Sequence, residues 1–117
     1  MKKSLQLLRQ GFESSSCKTP EFMAFLRTFR SEMKKILTEK GCTKIEIGEG
    51  GHFCVSGFFT APSGQVYYIS LSDVRSFRED DNFYGSIMYR TAQHYKDYTG
   101  GCNQFVPIGQ IQNVNFR

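Results

Sequence analysis

The spacing of apolar residues changes once along the chain, at Gly41, and this change constrains the fold more than any other feature. After Gly41 apolar and polar residues alternate, which is the period of a β-strand. The sequence therefore predicts an α+β domain, with one long amphipathic helix packed across a three- to four-stranded antiparallel sheet. The helix is indicated by apolar residues at steps of three and four, which place them on one face: Phe22, Phe25, Leu26, Phe29, Met33, Ile36 and Leu37.

The long helix is predicted to span 19–40. Thr19 is a suitable N-cap, and Pro20 suits the first helical position because its fixed φ matches the helix. Gly41 can adopt the left-handed conformation that ends many helices. Residues 1–18 are expected to hold a short N-terminal helix and a linker.

The segments that follow predict a sheet within 43–90. They are rich in aromatic and β-branched residues, and Pro62-Ser63-Gly64 forms a turn between two of them. Three strands are predicted, with a fourth segment as a candidate: 43–47, 52–61, 65–74 and 84–90. A short helix is expected from Thr91 to about Tyr98, and the tail 103–117 either adds an edge strand or covers the sheet.

Length and charge limit the function classes. A chain of 117 residues forms one domain. Its net charge of +4 excludes an acidic DNA mimic and leaves nucleic acid or an acidic protein face as partners. No apolar run is long enough to span a bilayer. Polar residues interrupt the apolar patch near the start, so we expect a cytoplasmic protein rather than a secreted one.

The segment 84–103 mixes tyrosines with cations and is poor material for a core. Buried tyrosine hydroxyls need partners and buried cations need compensation, whereas both residue types suit a contact surface. The alternative is that Tyr95 or Tyr98 packs on the sheet with its hydroxyl outward. The candidate partner-binding residues are Tyr89, Arg90, His94, Tyr95, Lys96 and Tyr98.

The long helix carries cations on one flank of its apolar stripe. Arg27, Arg30 and Lys34 form a strip that could contact phosphates or acidic side chains. The alternative is an ordinary solvated face on which long side chains cover the edge of the stripe.

The cysteines are widely separated, with no paired spacing typical of a zinc site. The alternative to zinc is that they are reduced, buried thiols. A structural zinc ion is the cofactor considered, with candidate ligands Cys17, Cys42, His52, Cys54 and Cys102. No motif activates a nucleophile or cradles a phosphate, so the sequence predicts a protein that is not an enzyme.

Three stretches, HFCVSGFFT, YYISLSDVR and YRTAQHYKDYTGGCN, resemble a family of small proteins carried by phages and conjugative elements of Gram-positive bacteria. The resemblance covers about 52–103. It implies a non-enzymatic inhibitor of host defence, including the anti-CRISPR type that binds Cas9 and blocks guide or target nucleic-acid loading. The alternative is a nucleic-acid-binding accessory protein of a mobile element, which would use Arg27, Arg30, Lys34, Arg90 and Lys96.

Overall fold

The α+β fold is confirmed, and the described residues form five strands in place of three or four. The computed structural model of the chain describes residues 2–10, 20–48, 55–71, 86–99 and 101–116. The helices are α1 (Lys2–Gln10), α2 (Pro20–Glu39) and a 3-10 helix (Ile108–Asn113). The strands are β1 (Thr43–Gly48), β2 (Val55–Thr60), β3 (Val66–Leu71), β4 (Ser86–Ala92) and β5 (Gln104–Pro107).

The sheet is antiparallel throughout, and its strands lie in chain order, β1-β2-β3-β4-β5. The predicted turn Pro62-Ser63-Gly64 joins β2 to β3, where the amide of Gly64 donates to the carbonyl of Ala61. Because side chains alternate along each strand, odd-numbered residues of β2 and β3 face α2 and even-numbered residues face away from it. We call these the inner and outer faces.

The core lies between α2 and the inner face. The apolar stripe predicted for α2 is buried except for Ile36, which is partly buried, so the 3.6-residue period identified the packed face correctly. Phe59 stacks on Tyr67 across β2 and β3, with ring centroids 5.5 Å apart, and Phe116 covers both rings edge-on. Each large apolar side chain buried here contributes about 1.5–3 kcal/mol.

Helix α2 ends where the sequence predicts. Gly41 has a φ of +84°. This conformation lets the amide of Cys42 donate to the carbonyl of Leu37 at 2.9 Å and the amide of Gly41 donate to Thr38 at 3.0 Å. Two carbonyls of the last turn are thereby satisfied, and Cys42 is brought back against the core.

The predicted helix from Thr91 to about Tyr98 is wrong. Thr91 and Ala92 continue β4, and 93–99 form a series of turns. The side chain of Asp97 accepts backbone hydrogen bonds at both ends of these turns, which offers the chain an alternative to helical pairing. The second half of the chain has its helix later, at Ile108–Asn113, and the tail does add an edge strand, β5.

Several predicted segments lie outside the described residues: the linker, the N-cap Thr19, and the segments 52–54 and 72–74 of two predicted strands. Within the described ranges, each helix is too short or too polar to cross a bilayer.

Candidate functional site

The outer face of the sheet carries an aromatic row where a solvated face would carry polar residues. Phe58, Tyr68 and Arg90 are direct neighbours across β2, β3 and β4. The two rings lie 5.1 Å apart, and both are buried. Rings buried on the side of the sheet away from α2 must have a cover of their own.

The loop 93–99 contributes to that cover. The ring of Tyr95 lies 5.8 Å from that of Phe58, and its hydroxyl donates to the carbonyl of Lys44 at 2.8 Å. The hydroxyl of Thr60 lies 2.6 Å from the same phenol oxygen. A phenol has one proton, so Thr60 is the donor of this second bond. Tyr95 thereby ties the loop to both β1 and β2.

A bulge in β1 supplies the carbonyl that Tyr95 binds. Between the pairs Thr43↔Thr60 and Glu46↔Phe58, β1 has one more residue than β2. Lys44 adopts a φ of 50°, a left-handed conformation that costs a side-chain-bearing residue about 1 kcal/mol or more. A bulge residue falls out of the strand ladder, and the tyrosine supplies the missing partner of its carbonyl.

Internal hydrogen bonds fix the loop itself. The carboxylate of Asp97 accepts from the amide of Gln93 at 3.0 Å and from that of Thr99 at 3.2 Å. The imidazole Nδ1 of His94 accepts from the amide of Lys96 at 3.2 Å. Backbone amides that would otherwise donate to water donate instead to side chains of the loop, and these bonds favour one loop conformation.

Arg90 is a structural residue, and the prediction that it stands in solvent as a contact is wrong. It is 4% exposed. Its guanidinium carbon lies 4.6 Å from the ring centroid of Tyr68, and Nη2 donates to the carbonyl of Asp97 at 2.8 Å. A ring face and a carbonyl together compensate the buried charge, and they join the loop to β4.

Tyr98 stands at the top of the cluster. Its ring contacts Phe58 and Tyr68 edge-on, with centroids 5.5 and 5.9 Å away, yet the residue is 66% exposed. The Tyr98 ring therefore packs on the rings of Phe58 and Tyr68 on one side and is open to solvent on the other. We call Phe58, Tyr68, Arg90, Tyr95 and Tyr98 together the tyrosine platform.

The remaining candidates of the late segment divide between the two faces. His94 and Lys96 are exposed on the loop beside Tyr98. Tyr89 is partly buried and directed to the inner face, with its ring edge-on to Phe116 at 5.5 Å, so it does not belong to the tyrosine platform and its contact role stays a prediction. Phe105 was missed: it is 45% exposed and lies opposite Met88 in register, which places it on the outer face. The alternation of side chains between the two faces of β5 could have identified Phe105 as a residue of the outer face.

The predicted cations of α2 lie away from the tyrosine platform. Arg27 and Lys34 are exposed and Arg30 is partly buried. Helix α2 packs on the inner face, whereas the tyrosine platform occupies the outer one. The five cations proposed for nucleic-acid binding therefore do not form one surface. Arg90 is also buried, so it cannot contact a nucleic acid in solvent.

The two described zinc candidates cannot share an ion. Cys42 precedes β1 and Cys102 precedes β5, at opposite edges of the sheet. Four interstrand spacings separate these edges by about 19 Å, far beyond the reach of two thiolates on one metal. Burial raises the pKa of the Cys42 thiol, against the opposing effect of Lys40, which disfavours a reactive thiolate.

No group of three metal-ligating side chains occurs in the described ranges. Cys17, His52 and Cys54 lie outside them. A structural zinc ion that includes those residues stays a prediction.

Comparison of the chain with protein-family models, curated proteins and solved structures finds no match. The resemblance of 52–103 to proteins of mobile elements therefore stays a prediction. The geometry of the tyrosine platform carries the functional inference.

Proposed function

We propose that this chain is a non-enzymatic binding protein that docks a protein partner on the tyrosine platform. The observation that carries the proposal is Tyr98, a large aromatic side chain that is 66% exposed although two buried rings hold it in place. A ring fixed before binding loses little conformational entropy on binding, and tyrosine is among the residues that dominate protein interfaces.

The surroundings of Tyr98 support a protein partner. Lys96 and His94 supply exposed polar groups on the same loop as Tyr98, and hydrogen bonds tie this loop to β1, β2 and β4. Interfaces combine an aromatic anchor with a polar rim, and a rigid scaffold preserves their geometry. The tyrosine platform has this arrangement.

The resemblance to mobile-element proteins suggests which partner to test. We infer a host defence effector of the Cas9 type, bound so that guide or target nucleic acid cannot load. The net charge of +4 is opposite to that of a DNA mimic, so the inhibitor would act by covering or locking a protein surface rather than by imitating nucleic acid.

The test is binding of purified Cas9, with and without guide RNA, to the wild-type chain and to Tyr98→Ala. Truncation of an interface anchor costs about 2 kcal/mol or more, so we expect affinity to fall about 30-fold or more. Gln110→Ala is the control, because this exposed residue lies on the 3-10 helix and belongs to no proposed contact. Its affinity should equal that of the wild type.

Two results would contradict different parts of the proposal. If neither form of Cas9 binds at micromolar concentration, the effector is wrong. If Cas9 binds and Tyr98→Ala binds equally well, the tyrosine platform is not the docking surface. Equal melting temperatures of the variants would show that any loss comes from the contact and not from unfolding.

A further inference from the structure

A charged surface, distinct from the tyrosine platform, lies at the junction of α1 and α2. A shallow groove there is lined by Lys3, Arg27, Thr28, Ser31, Glu32 and Lys35. Two of these residues, Lys3 and Lys35, were not among the cations singled out from the sequence. The groove belongs to the helical layer, so it is separate from the tyrosine platform and does not depend on the proposed function.

The acid in the groove is engaged by α1. The carboxylate of Glu32 accepts hydrogen bonds from the Ser4 amide at 2.7 Å, the Ser4 hydroxyl at 2.6 Å and the Lys3 amide at 3.3 Å. These bonds hold the first turn of α1, and with it Lys3, against α2. The negative charge of Glu32 is therefore directed at the N-terminal end of α1.

The cations of the groove are exposed. Within the described residues, the side chains of Lys3, Arg27 and Lys35 form no ion pair with an acid. Arg27 and Lys35 lie two turns apart on α2, about 12 Å along its axis. A nucleic-acid backbone carries one phosphate on each nucleotide, so a few consecutive nucleotides can reach both cations.

The chemistry of the lining favours phosphate over an acidic peptide. Thr28 and Ser31 add hydroxyl groups between the cations. Hydroxyls and cations are the groups that contact nucleic-acid backbones. Among the described residues that line the groove, none is an aromatic or aliphatic residue that could anchor a peptide side chain, which a stable protein interface needs.

We propose that this groove binds the sugar–phosphate backbone of a nucleic-acid strand through Lys3, Arg27 and Lys35, without reading its sequence. With three cations in contact with a single strand, a plot of the logarithm of the binding constant against the logarithm of the salt concentration should have a slope of about −2. Affinity should therefore fall about 20-fold between about 50 and 200 mM salt.

The experiment measures anisotropy of a labelled oligothymidylate of about 20 nucleotides titrated with the full chain. The test variant is Arg27→Gln with Lys35→Gln. The control is Arg30→Gln with Lys34→Gln, which removes the same charge from α2 outside the groove. We expect the groove variant to bind about tenfold more weakly at low salt. Its affinity should also fall only about threefold over the same salt range. The control pair should bind within about threefold of the wild type.

Equal losses in the two pairs would overturn the proposal, because general charge and not the groove would then control binding. Equal affinity of the wild-type chain for polyglutamate would overturn the preference for phosphate. Absence of binding at low salt would overturn both. Far-ultraviolet circular dichroism of both variants should match the wild type, since all the substituted side chains except the partly buried Arg30 are exposed.

Discussion

Tyr95 connects the loop 93–99 to strands that are distant from it in the chain. Its hydroxyl bonds the carbonyl of Lys44 and the hydroxyl of Thr60, and its ring packs on Phe58. Tyr98, three residues later, has an equally large ring, but its hydroxyl makes no hydrogen bond in the described part of the chain. The two tyrosines thus separate a supporting role from an exposed one.

We expect Tyr95→Phe to lower the free energy of unfolding by about 1–2 kcal/mol, because two hydrogen bonds are lost and the Lys44 carbonyl loses its partner. Denaturant unfolding measures the change. Tyr98→Phe is the matched control and should leave stability within about 0.5 kcal/mol of the wild type. Equal effects of the two substitutions would show that the hydroxyl of Tyr95 does not hold the loop.

The backbone of β1 lies close to β2 at Gly57. A Cβ built on this residue would overlap the carbonyl oxygen of Glu46 and lie 2.6 Å from the Cα of Ile47. Both obstacles are backbone, so neither can rotate away. Gly48 lies on the facing strand, β1, where it pairs with Ser56, and a Cβ on Gly48 would meet no other atom within 4 Å.

Gly57→Ala is therefore expected to destabilise the protein by about 3 kcal/mol or more, since β1 must move away from β2 to admit one methyl group. Gly48→Ala should change stability by less than about 0.5 kcal/mol. Thermal unfolding of both variants tests the difference. A mild effect at Gly57 would mean that β1 can shift at low cost.

Glu32 joins the first helix to the rest of the molecule. Burial pushes the pKa of this carboxyl upward, but the hydrogen bonds from Ser4, the positive charge of the chain's amino terminus and the hydrogen bond from Lys3 together outweigh burial and hold the pKa below its ordinary value. A carboxylate with a lowered folded-state pKa stabilises the fold only while it is ionised. The docking of α1 is thus linked to pH.

The stabilising effect of Glu32 should be complete above the ordinary pKa that its carboxyl has in the unfolded chain. It should be lost as the pH falls through the lower folded-state value. Unfolding measured against pH should show this loss in the wild type and not in Glu32→Gln. Glu39→Gln, on the same helix, is the control and should keep the wild-type pH dependence. If Glu32→Gln and the wild type respond alike to acid, the carboxylate does not secure α1.

Periodicity was enough to predict α2, its stop at Gly41 and most of the strands. The segment 91–98 was mispredicted because its turns depend on contacts that local pattern does not contain, such as Tyr95 with Lys44, 51 residues away. Strand alternation alone shows that Tyr89 and Arg90 must face opposite sides. That Arg90 is buried required the cross-strand register with Tyr68 and the fold of the loop above it.

The sequential order of the strands also bears on how the molecule assembles. Each pairing joins strands that follow one another in the chain, so the sheet can grow by successive hairpin closures, each with a modest loss of loop entropy. Helix α2 is synthesised before the strands that complete its binding surface. Its apolar stripe is therefore uncovered until those strands form, and rapid hairpin formation shortens the interval in which exposed apolar surface favours aggregation.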